Sequence, residues 1–202
     1  MICILDYGVG NLASVRNMLR KLGAPAEISG DPATVLRAEK LLLPGVGHYD
    51  HAMRSLNASG LRDVLDRFAL ELRRPVLGIC LGAQLLGRRS EEGQLPGLGW
   101  LPLECVRFPP DPMLRVPHMG WNTVSPQAES SWLAPVLQAD SRFYFAHSYY
   151  MRCDVPADVR GTTVHGVEFA SIVGRDNIFG TQFHPEKSLR HGLAVMQSFA
   201  NA

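Results

Sequence analysis

A cysteine between two glycines, Gly78-Ile79-Cys80-Leu81-Gly82, and a histidine two residues ahead of a glutamate, His184-Pro185-Glu186, are the residues of this chain best suited to covalent chemistry. A thiol is mostly protonated at neutral pH, so a nucleophilic cysteine needs a base, and the base needs a group to orient it. Of the seven histidines, His184 stands where an apolar run, Ile178 to Phe183, gives way to a proline. The run reads as a strand, and its period of two would place His184 and Glu186 on one side. Glu186 would then hold one ring nitrogen while the other faces the thiol, the arrangement of nucleophile, base and orienter.

The elements around these residues must bring them together. Pro75 to Ile79 reads as a short buried strand, and Leu81, Leu85 and Leu86 recur as one face of a helix. Cys80 therefore sits on a sharp strand-to-helix turn, where Gly78 and Gly82 allow a tight bend and close backbone approach. The first N–H groups of the following helix lack partners there, an environment that favours thiolate over thiol. A cysteine in an apolar strand is ordinarily a small core residue, but here a glycine-flanked cysteine and an oriented histidine both fall at strand ends. Leu43-Pro44-Gly45-Val46-Gly47 ends another strand in a glycine-rich turn whose N–H groups could point outward beside the elbow. Acyl chemistry needs such donors where a carbonyl oxygen gains charge.

Strand and helix signals alternate through the first half. Ile2 to Tyr7, Ala26 to Ser29 and Lys40 to Leu43 read as strands, Leu12 to Leu22 as a helix stopped by Gly23, and Leu61 to Leu72 as a long amphipathic helix. That order predicts an α/β fold with a mostly parallel central sheet flanked by helices. After about residue 98, additional strands are expected at Leu103 to Phe108, Arg142 to Ala146, Tyr149 to Cys153, Gly161 to His165, Phe169 to Val173 and Ile178 to Phe183. Ser188 to Asn201 closes the chain as a helix, and Phe108 to Pro112 is the clearest surface loop. The 202 residues fit one domain, 1–202.

Composition narrows the partners. The net charge is +1, from 20 basic and 19 acidic side chains without long runs, so nucleic acid and anionic membranes are not expected. Met1 to Asp6 lacks the features of a signal peptide, and no apolar stretch is long enough to span a bilayer. Cys3, Cys80, Cys105 and Cys153 are widely spaced, which suits neither a zinc site nor a disulfide framework and points to a reducing, cytoplasmic setting. His48 and His51 could share a helical face, but solvated histidines are the ordinary reading, and no metal or cofactor is expected. A rival motif is Gly8-Val9-Gly10-Asn11-Leu12-Ala13, which formally matches the dinucleotide fingerprint, with Glu27 or Asp31 as the ribose acid. That reading leaves Cys80, His184 and Glu186 without a role.

The cysteine elbow with Gln84, the Pro44-Gly45-Val46-Gly47 turn and Phe183-His184-Pro185-Glu186 resemble, in order and spacing, the class I, or triad, glutamine amidotransferases. Asp6 to Asn11, Pro117 to Asn122 and Phe145 to Tyr150 are similar to segments of those members that pass ammonia to a (βα)8-barrel cyclase in histidine biosynthesis. The resemblance covers essentially the whole chain and implies hydrolysis of L-glutamine to glutamate and ammonia. It implies that Cys80, His184 and Glu186 are catalytic, and that Leu81 and the Val46-Gly47 turn supply the oxyanion N–H groups, Gly45 allowing that turn to rotate. It implies that Gln84, Ser148 and Tyr149 hold the α-groups of glutamine, and that Asn11, Met119, Trp121 and Lys187 face the barrel, Trp121 from a loop. It reassigns Gly8 and Gly10 to a loop facing that partner. Ala83, where methionine is common, and Gly87-Arg88-Arg89 depart from the pattern, leaving as the alternative a paralogue that supplies ammonia for amidination of a surface sugar.

Overall fold

The computed structural model describes residues 1–127, 137 and 140–202. In the first half β1 (Ile2–Leu5), α1 (Leu12–Lys21), β2 (Ala26–Ser29), α2 (Pro32–Arg37), β3 (Lys40–Gly45), α3 (Tyr49–Ala58), α4 (Arg62–Asp66), β4 (Val76–Cys80) and α5 (Leu81–Leu85) follow one another. The second half contains β5 (Arg89–Ser90), β6 (Leu103–Arg107), β7 (His118–Thr123), β8 (Ser125–Pro126), β9 (Arg142–His147), β10 (Tyr149–Cys153), β11 (Val159–His165), β12 (Val167–Arg175) and β13 (Ile178–Thr181) before α6 (Leu189–Asn201).

The main sheet runs β2-β1-β3-β4-β13-β12-β10-β6-β5, with β11 and β8 attached beside β12. From β2 to β13 neighbouring strands are parallel, and β12 begins an antiparallel region. The parallel strands are covered on both sides, which is why Leu41-Leu42-Leu43 of β3 is a continuous apolar run. Cys3, Leu5, Leu41 and Leu43 pack with Met53 and Leu56 of α3 and Leu65 of α4. Ile4, Leu42 and Leu77 pack with Val15 and Leu19 of α1 and Val195, Met196 and Phe199 of α6. Two cores with one sheet between them make a three-layer α/β/α sandwich, and β7 and β9 form a separate antiparallel pair beside it.

Parallel strands end at a common edge, and this register decides what meets there. Gly45 pairs with Cys80, and Ile79 with Thr181. The Val46-Gly47 turn, Cys80 and the chain leading to His184 are therefore neighbours at the C-terminal edge, where α/β sheets collect their ligands. The Tyr7 hydroxyl donates to the Pro44 carbonyl at 2.9 Å and ties the Gly8 to Asn11 loop to the same edge.

The boundaries correct some expectations. The first strand stops at Leu5, two residues before Tyr7, and the helix expected over Leu61 to Leu72 is α4 continued by a π-helical turn, Arg67–Glu71. Trp121 lies on β7 and not in a loop, because Pro117 and Gly120 do not prevent its strand from pairing with β9. The last strand ends at Thr181, so His184 lies beyond regular pairing. Asp31 caps α2, accepting from the Thr34 N–H at 2.8 Å, and Glu27 is exposed on β2, so the dinucleotide reading loses its acid.

The elbow is held by close backbone contact. A Cβ on Gly82 would lie 1.8 Å from the Leu43 carbonyl oxygen, and one on Gly78 2.7 Å from Ala83 Cα. Gly82→Ala must therefore push β3 away from α5, at a cost of about 1–3 kcal/mol. Urea unfolding of wild type and variant would measure it, and equal midpoints would contradict the contact.

Candidate active site

Cys80 closes β4 and opens α5 with φ 54° and ψ −111°, a left-handed conformation that is unfavourable for a residue with a Cβ. The neighbouring glycines let β3, β4 and α5 approach closely enough to hold it. Its side chain is largely buried and faces a cavity of about 360 Å³ at the sheet edge. Leu81 begins α5, so its N–H has no partner within the helix.

His184 reaches Cys80 by a route the strand pattern did not anticipate. Its N–H donates to the Tyr144 carbonyl of β9 at 2.9 Å, an isolated bridge that fixes the backbone after β13. Proline then turns the chain, and Pro185–Lys187 form one 3₁₀ turn. It is this turn, and not the period of a strand, that brings Glu186 Oε1 to 2.8 Å from His184 Nδ1. The Ser188 hydroxyl donates to the His184 carbonyl at 2.5 Å and locks the turn. With Nδ1 committed to Glu186, Nε2 is the nitrogen left for the thiol. Burial opposes a charge on His184, but hydrogen bonds to Cys80 and Glu186, reinforced by the charges of both, push its pKa up to about 10. The protonated ring is the form this pocket favours.

Val46, Gly47, Leu81, Gln84, Ser148, Tyr149, Met119 and Lys187 all line the cavity with Cys80 and His184. Gln84 is buried, and its side-chain nitrogen donates to the Tyr149 carbonyl and to Gln182 Oε1, both at 3.0 Å. Its side-chain oxygen is the atom left to meet a ligand. A Cβ on Gly45 would fall 2.6 Å from the Gly82 nitrogen, while Gly47 has φ 94°. Gly45 therefore serves close packing, and the conformational freedom of the turn belongs to Gly47. Trp121 and Asn11 do not line the cavity. Trp121 is 47% exposed and stands edge-on to Tyr144 at 6.0 Å, and Tyr144 also lies 5.6 Å beneath the Lys187 ammonium. Asn11 is exposed just ahead of α1. His48 caps α3, its Nδ1 accepting from the Asp50 N–H at 3.2 Å.

Two residues went unnoticed in the sequence. Gln182 is fully buried, and its side-chain nitrogen lies 3.8 Å from Cys80 Sγ. Its position two residues before His184 was the available signal. Glu92 is the one carboxylate lining the cavity among the described residues, and it accepts from the Tyr49 N–H at 2.9 Å. The Ser90-Glu91-Glu92-Gly93 stretch gives no spacing cue for that role.

The class-I glutamine amidotransferase family model matches residues 3–201, and the chain belongs to that family. Among solved structures it is similar to a glutamine amidotransferase (TM-score 0.76, 17% identity, 100% of this chain and 99% of the other). It is also similar to the glutaminase domain of Trypanosoma brucei CTPS (TM-score 0.68, 16% identity, 99% and 93%). Those likenesses concern the fold. Sequence relatives are more specific: imidazole glycerol phosphate synthase subunit HisH 2 of Pseudomonas aeruginosa is 51% identical over 98% of both chains. HisH 2 of Methanococcus maripaludis is 45% identical over 98% of both, and subunit HisH of Leptospira interrogans 44% identical over 100% of both. Within the family, these relatives are thus HisH subunits of imidazole glycerol phosphate synthase.

The His184 pair has a pH signature. Because its pKa in the folded protein lies above the ordinary 6.5, the stability from the charged ring is complete below pH 6.5 and is lost as pH rises towards 10. The stability difference between wild type and Glu186→Gln should follow that course in urea titrations. A difference that stays flat from pH 6.5 to 10 would contradict the charged pair.

Proposed function

We infer that Cys80, His184 and Glu186 are the glutaminase triad and that the ammonia they release passes to a (βα)8-barrel cyclase subunit of imidazole glycerol phosphate synthase. The observation that carries the triad is His184, held by Glu186 through one ring nitrogen and lining with Cys80 one cavity of amino-acid size. Cys80 Sγ attacks the side-chain amide carbon of glutamine, and the amide oxygen takes up the electron pair. The Leu81 N–H and N–H groups of the Val46-Gly47 turn stabilise that oxyanion. Collapse breaks the C–N bond as His184 gives its proton to the departing nitrogen, leaving ammonia and a thioester. Neutral His184 then takes a proton from water, whose oxygen attacks the thioester, and glutamate leaves with Cys80 restored as thiolate.

The cavity also offers partners for the other end of glutamine. Glu92 supplies a carboxylate for the α-ammonium, and the Gln84 side-chain oxygen, Ser148 and Tyr149 add hydrogen-bonding groups for the α-ammonium and α-carboxylate. No metal or cofactor is needed for these steps, and the four cysteines are free thiols, which suits a cytoplasmic enzyme. Among the described residues no helix is long and apolar enough to cross a membrane.

Ammonia released into neutral water is protonated and lost as a nucleophile, so the acceptor must dock. Met119 is 65% exposed, and with Trp121, Lys187 and the Asn11 loop it presents groups at the edge that holds the cavity. The relatives are subunits of imidazole glycerol phosphate synthase by name, which supports a cyclase as the partner.

Two outcomes are expected. Cys80→Ala should abolish glutamine-dependent product formation with the cyclase while ammonium salts still support it, and unchanged glutamate release would sink the nucleophile assignment. Trp121→Ala should weaken cyclase binding by about 2 kcal/mol or more in calorimetry. A chain that ignores the cyclase and binds a sugar-locus barrel would redirect the ammonia to sugar amidination.

A further inference from the structure

Seven polar groups behind the cavity form an unbroken chain whose proton directions are fixed from both ends. At one end the Asn122 side chain is oriented by the backbone: its Oδ1 accepts from the Thr123 N–H at 2.8 Å, and its Nδ2 donates to the Val164 carbonyl at 2.9 Å. The same Nδ2 lies 3.2 Å from His118 Nε2, so that ring nitrogen accepts. At the other end His147 Nδ1 lies 2.8 Å from the Tyr149 carbonyl, which can only accept, so His147 carries its proton on Nδ1. Its Nε2 is then an acceptor, and 3.0 Å away stands His118 Nδ1, which must donate. The two ends demand the same tautomer, Nδ1–H, of both rings.

The chain ends where glutamine is expected. The Tyr149 carbonyl receives the His147 proton and also the Gln84 side-chain nitrogen at 3.0 Å. One carbonyl thus anchors the Ser148-Tyr149 segment and the Gln84 amide together. We propose that His118 and His147 are positioning residues for glutamine binding, acting as a pair of neutral imidazoles with a single allowed proton order that holds Tyr149, Ser148 and Gln84 in place. The proposal rests on the reading of the cavity as the glutamine site.

The surroundings keep the pair neutral. His118 stacks on Phe145 at 4.7 Å and on His165 at 4.1 Å, and Phe169 stands 5.3 Å from His147. Both histidines are almost wholly buried. Burial, assisted by His165, lowers His118 to about 4; burial, assisted by His118, His165 and His184, lowers His147 to about 3 against the hydrogen bond to Tyr149. A proton added to either ring would set two donors head to head, so the order survives only while both stay neutral.

Long-range proton–nitrogen NMR of the intact chain should show both rings as Nδ1–H tautomers, without titration across neutral pH. An Nε2–H tautomer or a charged ring would overturn the proposal. In the complex with the cyclase, His118→Phe keeps the stacked ring but removes both nitrogens. It should raise KM for glutamine roughly ten-fold while kcat falls less than about three-fold. His118→Asn, which retains a donor near the Nδ1 position, should recover most of the lost KM. Labelling of Cys80 by iodoacetamide, which needs no α-group contacts, should keep its wild-type rate in His118→Phe. An unchanged KM, or labelling that falls as far as glutamine turnover, would refute a positioning role. If Cys80→Ala in the same assay leaves glutamate release intact, the glutaminase site itself is misassigned, which is a separate failure.

Discussion

The contact on which the active edge depends is that between the Leu43 carbonyl and Gly82. Because α5 can lie directly against β3, Cys80 is forced into its left-handed backbone at the one point where strand becomes helix. The cost of that conformation, of order 1–3 kcal/mol, is met by the surrounding cores. The result is a thiol that cannot withdraw into a strand face and must project over the edge. Parallel register then delivers the Val46-Gly47 turn on one side and the His184 turn on the other.

The arrangement divides labour between backbone and side chains. In the proposed mechanism the backbone supplies N–H groups at Leu81 and the Val46-Gly47 turn, the latter relying on glycine at 47, where φ is 94°. Side chains supply the groups that change protonation, and His184 is the buried ring held between a thiol and a carboxylate. His147, on the same cavity, is pulled the opposite way, towards neutrality, by burial among aromatic rings. Two imidazoles in one site are thus drawn to different charge states, His184 by its hydrogen bonds to Cys80 and Glu186 and His147 by burial, which outweighs its hydrogen bond to the Tyr149 carbonyl. In the proposed mechanism that separation leaves one ring to move protons while the other keeps a fixed orientation.

Much of this was legible in the sequence, and the reasons for the rest are physical. The parallel half could be read because buried strands are continuous apolar runs and the helices between them show a period. The Cys80 elbow was legible because only glycine tolerates the approach at positions 78 and 82. His184 and Glu186 were paired for a partly wrong reason: regular pairing ends at Thr181, and a 3₁₀ turn begun by Pro185 does the work assigned to strand alternation. β7 was missed because Pro117 and Gly120 look like loop residues until β9 supplies a partner far along the chain. Glu92 and Gln182 were missed because their roles arise from tertiary approach, for which local pattern carries no sign.

β7 shows how one short strand can answer to two selections at once. Its alternation turns His118 and Asn122 inward to the polar chain behind the cavity, while Met119 and Trp121 face outward. Adjacent positions in the sequence are therefore under unrelated constraints. Inward positions tolerate only groups with the right donors and acceptors. Outward ones answer to the shape of whatever docks. Trp121 can change with the docking surface and leave the cavity as it was, whereas Met119, which also lines the cavity, ties the two constraints together.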